Sequence, residues 1–138
     1  MNRPLSEAAE VLRMKIKEMI PGAVEYDKSQ LDDKSQPPKD IVFRKVGGGI
    51  KLYSGETLGI LASHLVNEMN LGEGWGWNLA HFSEPKPIIN NSKRMYLVPL
   101  SEGASLTPGG LLPEKSYTYI TDQPTISSDT TVIFIASV

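Results

Sequence analysis

The chain lacks cysteine altogether and has only two histidines and four arginines in 138 residues. Without thiols there are no disulfides, thiolate metal sites or cysteine nucleophiles, and a reducing compartment, the cytoplasm, is the expected location. Also missing is any apolar run near the ~18 to 20 residues of a membrane span, and the first residues have no signal-peptide core. Neither sign of charge dominates: 14 basic and 16 acidic side chains leave a net charge of −2. They are mixed along the chain, so no long-range field draws in a polyanion, and neither nucleic acid nor a membrane is an expected partner. An anion site must therefore be local, built on Arg3, Arg13, Arg44 or Arg94. No Gly-x-Ser-x-Gly elbow, dinucleotide fingerprint, kinase set, calcium loop or zinc signature is present, and no cofactor or metal is expected. Gly47, Gly48 and Gly49 lack the lysine and the following helix of a phosphate-cradling loop.

What is present suits one domain spanning residues 1–138, since 15.2 kDa is enough chain to bury a core without staples. Leu5, Ala8, Leu12, Ile16 and Met19 recur at helical spacing behind Pro4, and Pro21-Gly22 ends the run. A second helix follows Ser54, a potential cap, with Leu58, Leu61, Ala62, Leu65 and Met69 as its buried stripe. Residues 41–46 and 50–53 form a hairpin about the glycines, and residues 88–89 and 94–100 suggest another, with Pro99 at an edge or at a strand end. Residues 116–121 alternate as a half-buried strand. Residues 130–138 are apolar on both faces, which places them at the centre of a sheet or at a subunit interface. The polar stretch 27–39, in which Asp27-Lys28-Ser29-Gln30 returns as Asp33-Lys34-Ser35-Gln36, is expected to be a mobile loop. Residues 101–114 are expected to be a long Pro/Gly-rich loop whose Leu106, Leu111 and Leu112 dock on the body or on a neighbouring subunit. The sum is an α+β fold with two amphipathic helices on one face of a mainly antiparallel, twisted sheet of about six strands.

The candidate site starts from Trp75 and Trp77, interleaved with Gly72, Gly74 and Gly76. Two residues apart, the indoles face one side of an extended chain, either as a wall for a ligand or as the floor of the core. Asn78, His81 and Glu73 are polar handles nearby, and Arg44 or Arg94 are the candidate groups for a ligand's charged end. His64 and Glu68, four apart on the second helix, allow a hydrogen-bonded acid/base pair, with His81 or Glu84 near the substrate; this is the enzymatic alternative, a small hydrolase or transferase. The shortage of catalytic residues favours a non-catalytic binding protein of inhibitor, immunity or small-ligand-binding type. It is expected to be a homo-oligomer that recognises a protein partner or a small anionic ligand through residues 72–82 and 101–114. A structural subunit of a larger assembly is the remaining alternative.

Overall fold

A computed structural model describes residues 2–25 and 41–137, so the repeated Asp-Lys-Ser-Gln stretch lies outside the described residues. Among the described residues two α-helices and twelve strands run in the order β1 (Asn2–Pro4), α1 (Glu7–Met19), β2 (Val24–Glu25), β3 (Val42–Lys45), β4 (Ile50–Ser54), α2 (Glu56–Glu68) and β5 (Trp75–Phe82). Then follow β6 (Lys86–Pro87), β7 (Met95–Pro99), β8 (Ser105–Thr107), β9 (Gly110–Leu111), β10 (Ser116–Ile120), β11 (Thr125–Ile126) and β12 (Thr130–Ser137). An eight-stranded sheet has the order β1-β10-β7-β12-β5-β4-β3-β2, antiparallel except for the β2–β3 pair. A second, four-stranded sheet has the order β6-β11-β8-β9.

The fold is thus α+β with a large, mostly antiparallel sheet, but the expected six strands become eight plus four. The additional strands are two or three residues long, too short for an alternating pattern to register in sequence. Three layers result. On one face Ala9 and Ile16 of α1 and Leu58, Ala62 and Leu65 of α2 bury themselves against Leu79, Val98, Ile133 and Ile135. On the other, the small sheet contributes Leu106 and Ile126 to a core with Ala80, Leu97 and Val132. The last strand, β12, lies between β7 and β5 and supplies both cores by alternation, which is why it reads as apolar on both faces.

Several boundaries differ from the sequence reading. Pro4 does not open the first helix; it ends β1, an edge strand where its missing N–H is no loss, and Ser6 caps α1 by accepting the Ala9 N–H at 3.2 Å. Ala8 is exposed, and the buried stripe runs instead through Ala9, Arg13 and Ile16. Ser54 ends β4 rather than capping α2, and Gly55 takes the cap at φ 146°, a conformation that requires glycine. No hairpin joins residues 88–89 to 94–100: β6 pairs with β11 in the small sheet, whereas β7 pairs with β10 and β12 and stops at Pro99. The long loop 101–114 is in fact largely the β8–β9 hairpin of the second sheet, with Leu106 and Leu112 buried and Leu111 exposed. Among the described residues no helix is long and apolar enough to cross a membrane.

Candidate functional site

Alternation along the strands decides which side chains meet. On the helix-bearing face, register aligns Tyr119 of β10 with Tyr96 of β7, Tyr96 with Ile135 of β12, and Ile135 with Trp77 of β5. The helices pack over Leu79, Val98, Ile133 and Ile135 on this face, and the row runs on through Tyr96 to Tyr119 on β10, the neighbour of edge strand β1. There Tyr96 is the hub of a ring cluster. Its centroid is 4.9 Å from Tyr119, 5.7 Å from Tyr117 and 5.2 Å from Trp75, the last two in edge-on geometry. Such arrangements set the positive edge of one ring against the negative face of the next. The indole N–H of Trp75 donates to the Leu71 carbonyl at 3.0 Å, which fixes the ring.

Each end of the cluster carries a cation. The Arg94 guanidinium lies 5.0 Å above the Trp75 ring. Arg3, paired with Tyr117 across β1 and β10, lines an open cleft of about 420 Å³ with Tyr96, Tyr117 and Tyr119. Both arginines are exposed, and among the described residues neither forms a salt bridge. Among the described residues no acidic side chain lines the cleft. The arrangement offers ring faces, phenolic hydroxyls and a guanidinium fork, the groups that hold a planar ligand and its negative charge.

The residues singled out from the sequence are only partly gathered here. Trp75 and Arg94 belong to the cluster. Trp77 shares its face but lies against α2, its ring 3.8 Å from where a Cβ on Gly59 would sit. His81, at the opposite end of β5 from Trp75, places Nδ1 2.8 Å from the Thr131 hydroxyl. Burial first, then the nearby Lys51 charge, lowers the His81 pKa, with Asp129 opposing. Asn78, of the other parity, is exposed on the face that carries the small sheet. Arg44 is exposed on β3, with β4, β5 and β12 between it and β7, so it does not join Arg94. His64 and Glu68 are both exposed, and no hydrogen bond or ion pair joins them among the described residues. Glu73 is exposed ahead of β5, and Glu84 is exposed 3.8 Å from Lys86. Among the described residues no group of three or more His, Asp or Glu side chains is placed to hold a metal.

Tyr96, Tyr117 and Tyr119 escaped the sequence reading as site residues, and Arg3 entered it only as one of four arginines on which a local anion site could be built. Their one local signal is the Tyr-x-Tyr alternation of β10, which puts Tyr117 and Tyr119 on a common face. Tyr96 and Arg3 come from remote strands and needed the pairing to be known. No protein-family model, curated protein or solved structure matches this chain.

Proposed function

We propose that the protein is a non-catalytic binding protein that takes up a small anionic ligand at the Tyr96, Tyr117 and Tyr119 cleft. The observation that carries this reading is the row of contacting rings with an exposed arginine at each end, neither of them in a salt bridge among the described residues. Relative to the sequence reading the surface has moved: residues 72–82 contribute Trp75 through its contact with Tyr96, while 101–114 lies mainly on the opposite face of the large sheet. The enzymatic alternative gains no support from His64 and Glu68, between which no hydrogen bond or ion pair forms among the described residues. The alternative of a structural subunit rested mainly on the two-sided apolar β12, and both faces of that strand pack within the chain; homo-oligomerisation stays part of the proposal. A cytoplasmic location continues to rest on the absence of cysteine.

Titration with phenyl phosphate and phenylacetate, followed by NMR of the tyrosine rings, tests the reading. Shifts confined to Tyr96, Tyr117, Tyr119 and the neighbouring Trp75 are expected, weakened in Arg3→Ala and Tyr119→Ala. Unchanged ring resonances at millimolar ligand would remove it.

A further inference from the structure

The chemistry of the cleft narrows the ligand class, and this narrowing rests on the binding reading above. We infer that the preferred ligand is a planar heterocycle carrying a phosphate monoester, of nucleoside monophosphate size, with the ring against Tyr119 and the phosphate at Arg3.

Three observations lead there. First, among the described residues the lining consists of rings and one guanidinium, with no leucine, isoleucine or valine. Aliphatic ligands gain most from such side chains, whereas a flat π-system gains from stacking on aromatic faces. Tyr119 is 38% exposed, so part of its ring is available to a second ring without displacing the core. Second, the polar groups are donors in excess of what a carboxylate needs. Arg3, Tyr96, Tyr117 and Tyr119, which together carry one guanidinium fork and three hydroxyls, line one cleft of about 420 Å³. A phosphate monoester offers three acceptor oxygens, and a guanidinium matches two of them at once. Hydroxyls left over both donate and accept, as the edge of a nucleobase requires. Third, the charge supply is local and small. Two arginines flank the rings while the chain as a whole carries −2, so one phosphate is matched and a polyanion is not. The cleft volume falls within the range of small-molecule sites.

The chemistry is shared by a free mononucleotide and by the terminal nucleotide of a strand. The deciding experiment is calorimetric titration of the full chain with adenosine monophosphate, adenosine, inorganic phosphate, phenyl phosphate and a 5′-phosphorylated hexathymidylate. The expected result is that adenosine monophosphate binds at least tenfold tighter than adenosine or phosphate alone, and at least as tightly as the hexanucleotide. Arg3→Ala should weaken adenosine monophosphate about tenfold and leave adenosine unchanged, while Tyr119→Ala weakens both by a similar factor and leaves phosphate unchanged. Arg3→Lys and Tyr119→Phe, which keep charge and ring, together with unchanged melting temperatures, separate loss of contact from loss of fold. Should the hexanucleotide bind tenfold tighter, the free-mononucleotide assignment is overturned in favour of a strand end. If phenyl phosphate binds at the tyrosines as tightly as adenosine monophosphate, the heterocycle is overturned and the anionic cleft stands. If none of the five binds, both this inference and the binding reading fall.

Discussion

Arg13 and Glu114 meet at 2.6 Å although 101 residues separate them in sequence, and this contact ties α1 to the segment that leads into β10. The guanidinium is 1% exposed. Its Nε donates to both Glu10 carboxylate oxygens, one Nη to the Pro99 carbonyl at 3.3 Å as well as to Glu114, and Lys17 adds a second cation 2.8 Å from Glu114. A buried charge network held this way tolerates loss of its central cation poorly, because Glu10 and Glu114, both mostly buried, then lose a charged hydrogen-bond partner. Arg13→Ala is therefore expected to cost about 3 kcal/mol of stability, within the range for breaking buried pairs. Arg13→Met, which restores apolar volume but leaves Glu10 without its partner and Glu114 with Lys17 alone, should recover only part. Urea unfolding of both variants measures the difference; values under half a kcal/mol for each would mean that the network contributes nothing net.

The same network makes stability depend on pH. Burial alone would raise the Glu114 pKa, but the hydrogen bonds and charges of Lys17 and Arg13 outweigh it and hold the group below its ordinary 4.5. The unfolded chain then binds the proton more readily than the folded one. This contribution is complete above pH 4.5 and fades as pH falls through the folded-state value. His81, lowered from 6.5 by burial and by Lys51, acts with the same sign at higher pH: its contribution is complete above 6.5 and declines below it. Melting temperature against pH should show both limbs, with Glu114→Gln flattening the acidic one and His81→Gln the one near neutrality. A curve unchanged by either variant contradicts the assignment.

Asn90 supports the base of the clustered strands. Its side-chain amide donates to the carbonyls of Ile120, at 3.3 Å, and Asp122, at 3.0 Å, just where β10 ends. Asn90 is buried, so Asn90→Ala leaves two carbonyls without their donor and should cost about 1–3 kcal/mol. Asn90→Asp should cost more, because an acceptor then faces the same carbonyls. Equal stability of the two variants would show that solvent replaces the amide.

How far the sequence discloses this molecule depends on the range over which a signal is written. The helix α2 is legible because Leu58, Ala62 and Leu65 repeat at helical spacing within thirteen residues, and β12 because its apolar run is continuous. Arg13 was not legible as a core residue: a charged side chain in an amphipathic stripe reads as solvent-facing until Glu114 is brought to it. The tyrosine cleft fails to register for a related reason. Tyr96 touches Tyr117 and Tyr119 only because β7 pairs with β10, and pairing is a property of topology rather than of local pattern. The second sheet is hidden because strands of two or three residues, such as Thr125–Ile126, owe their geometry to neighbours.

Two glycines near α2 should respond in opposite directions. Gly59 lies within the helix, and a Cβ there meets Trp77 at an ordinary 3.8 Å. Gly59→Ala is expected to stabilise by about 0.5–1 kcal/mol through reduced freedom of the unfolded chain. Gly55 at φ 146° occupies a region closed to alanine, so Gly55→Ala should destabilise by about 1–3 kcal/mol. Thermal denaturation of the pair checks the sign, and two shifts in the same direction would contradict the geometry at one of the sites.

Removal of residues 134–138 tests the central position of β12. Ile135 is fully buried between the helices and the sheet, and it stands between Tyr96 and Trp77 in the cross-strand row. Phe134, on the other face, packs edge-on against Phe82 at 5.7 Å. Deleting both cores' contributions at once also strips β5 and β7 of a shared neighbour, so Trp75, Tyr96 and Met95 lose their partners on β12 together. Ile135→Ala alone should cost about 2–5 kcal/mol, a large share of the margin of a domain this size. The truncated chain is accordingly expected to be insoluble or to lack a cooperative transition, while Ile135→Val, losing one methylene, stays folded with a lowered melting temperature. A truncated protein that elutes as a single species and melts cooperatively would mean that β5 and β7 hold together without the strand between them.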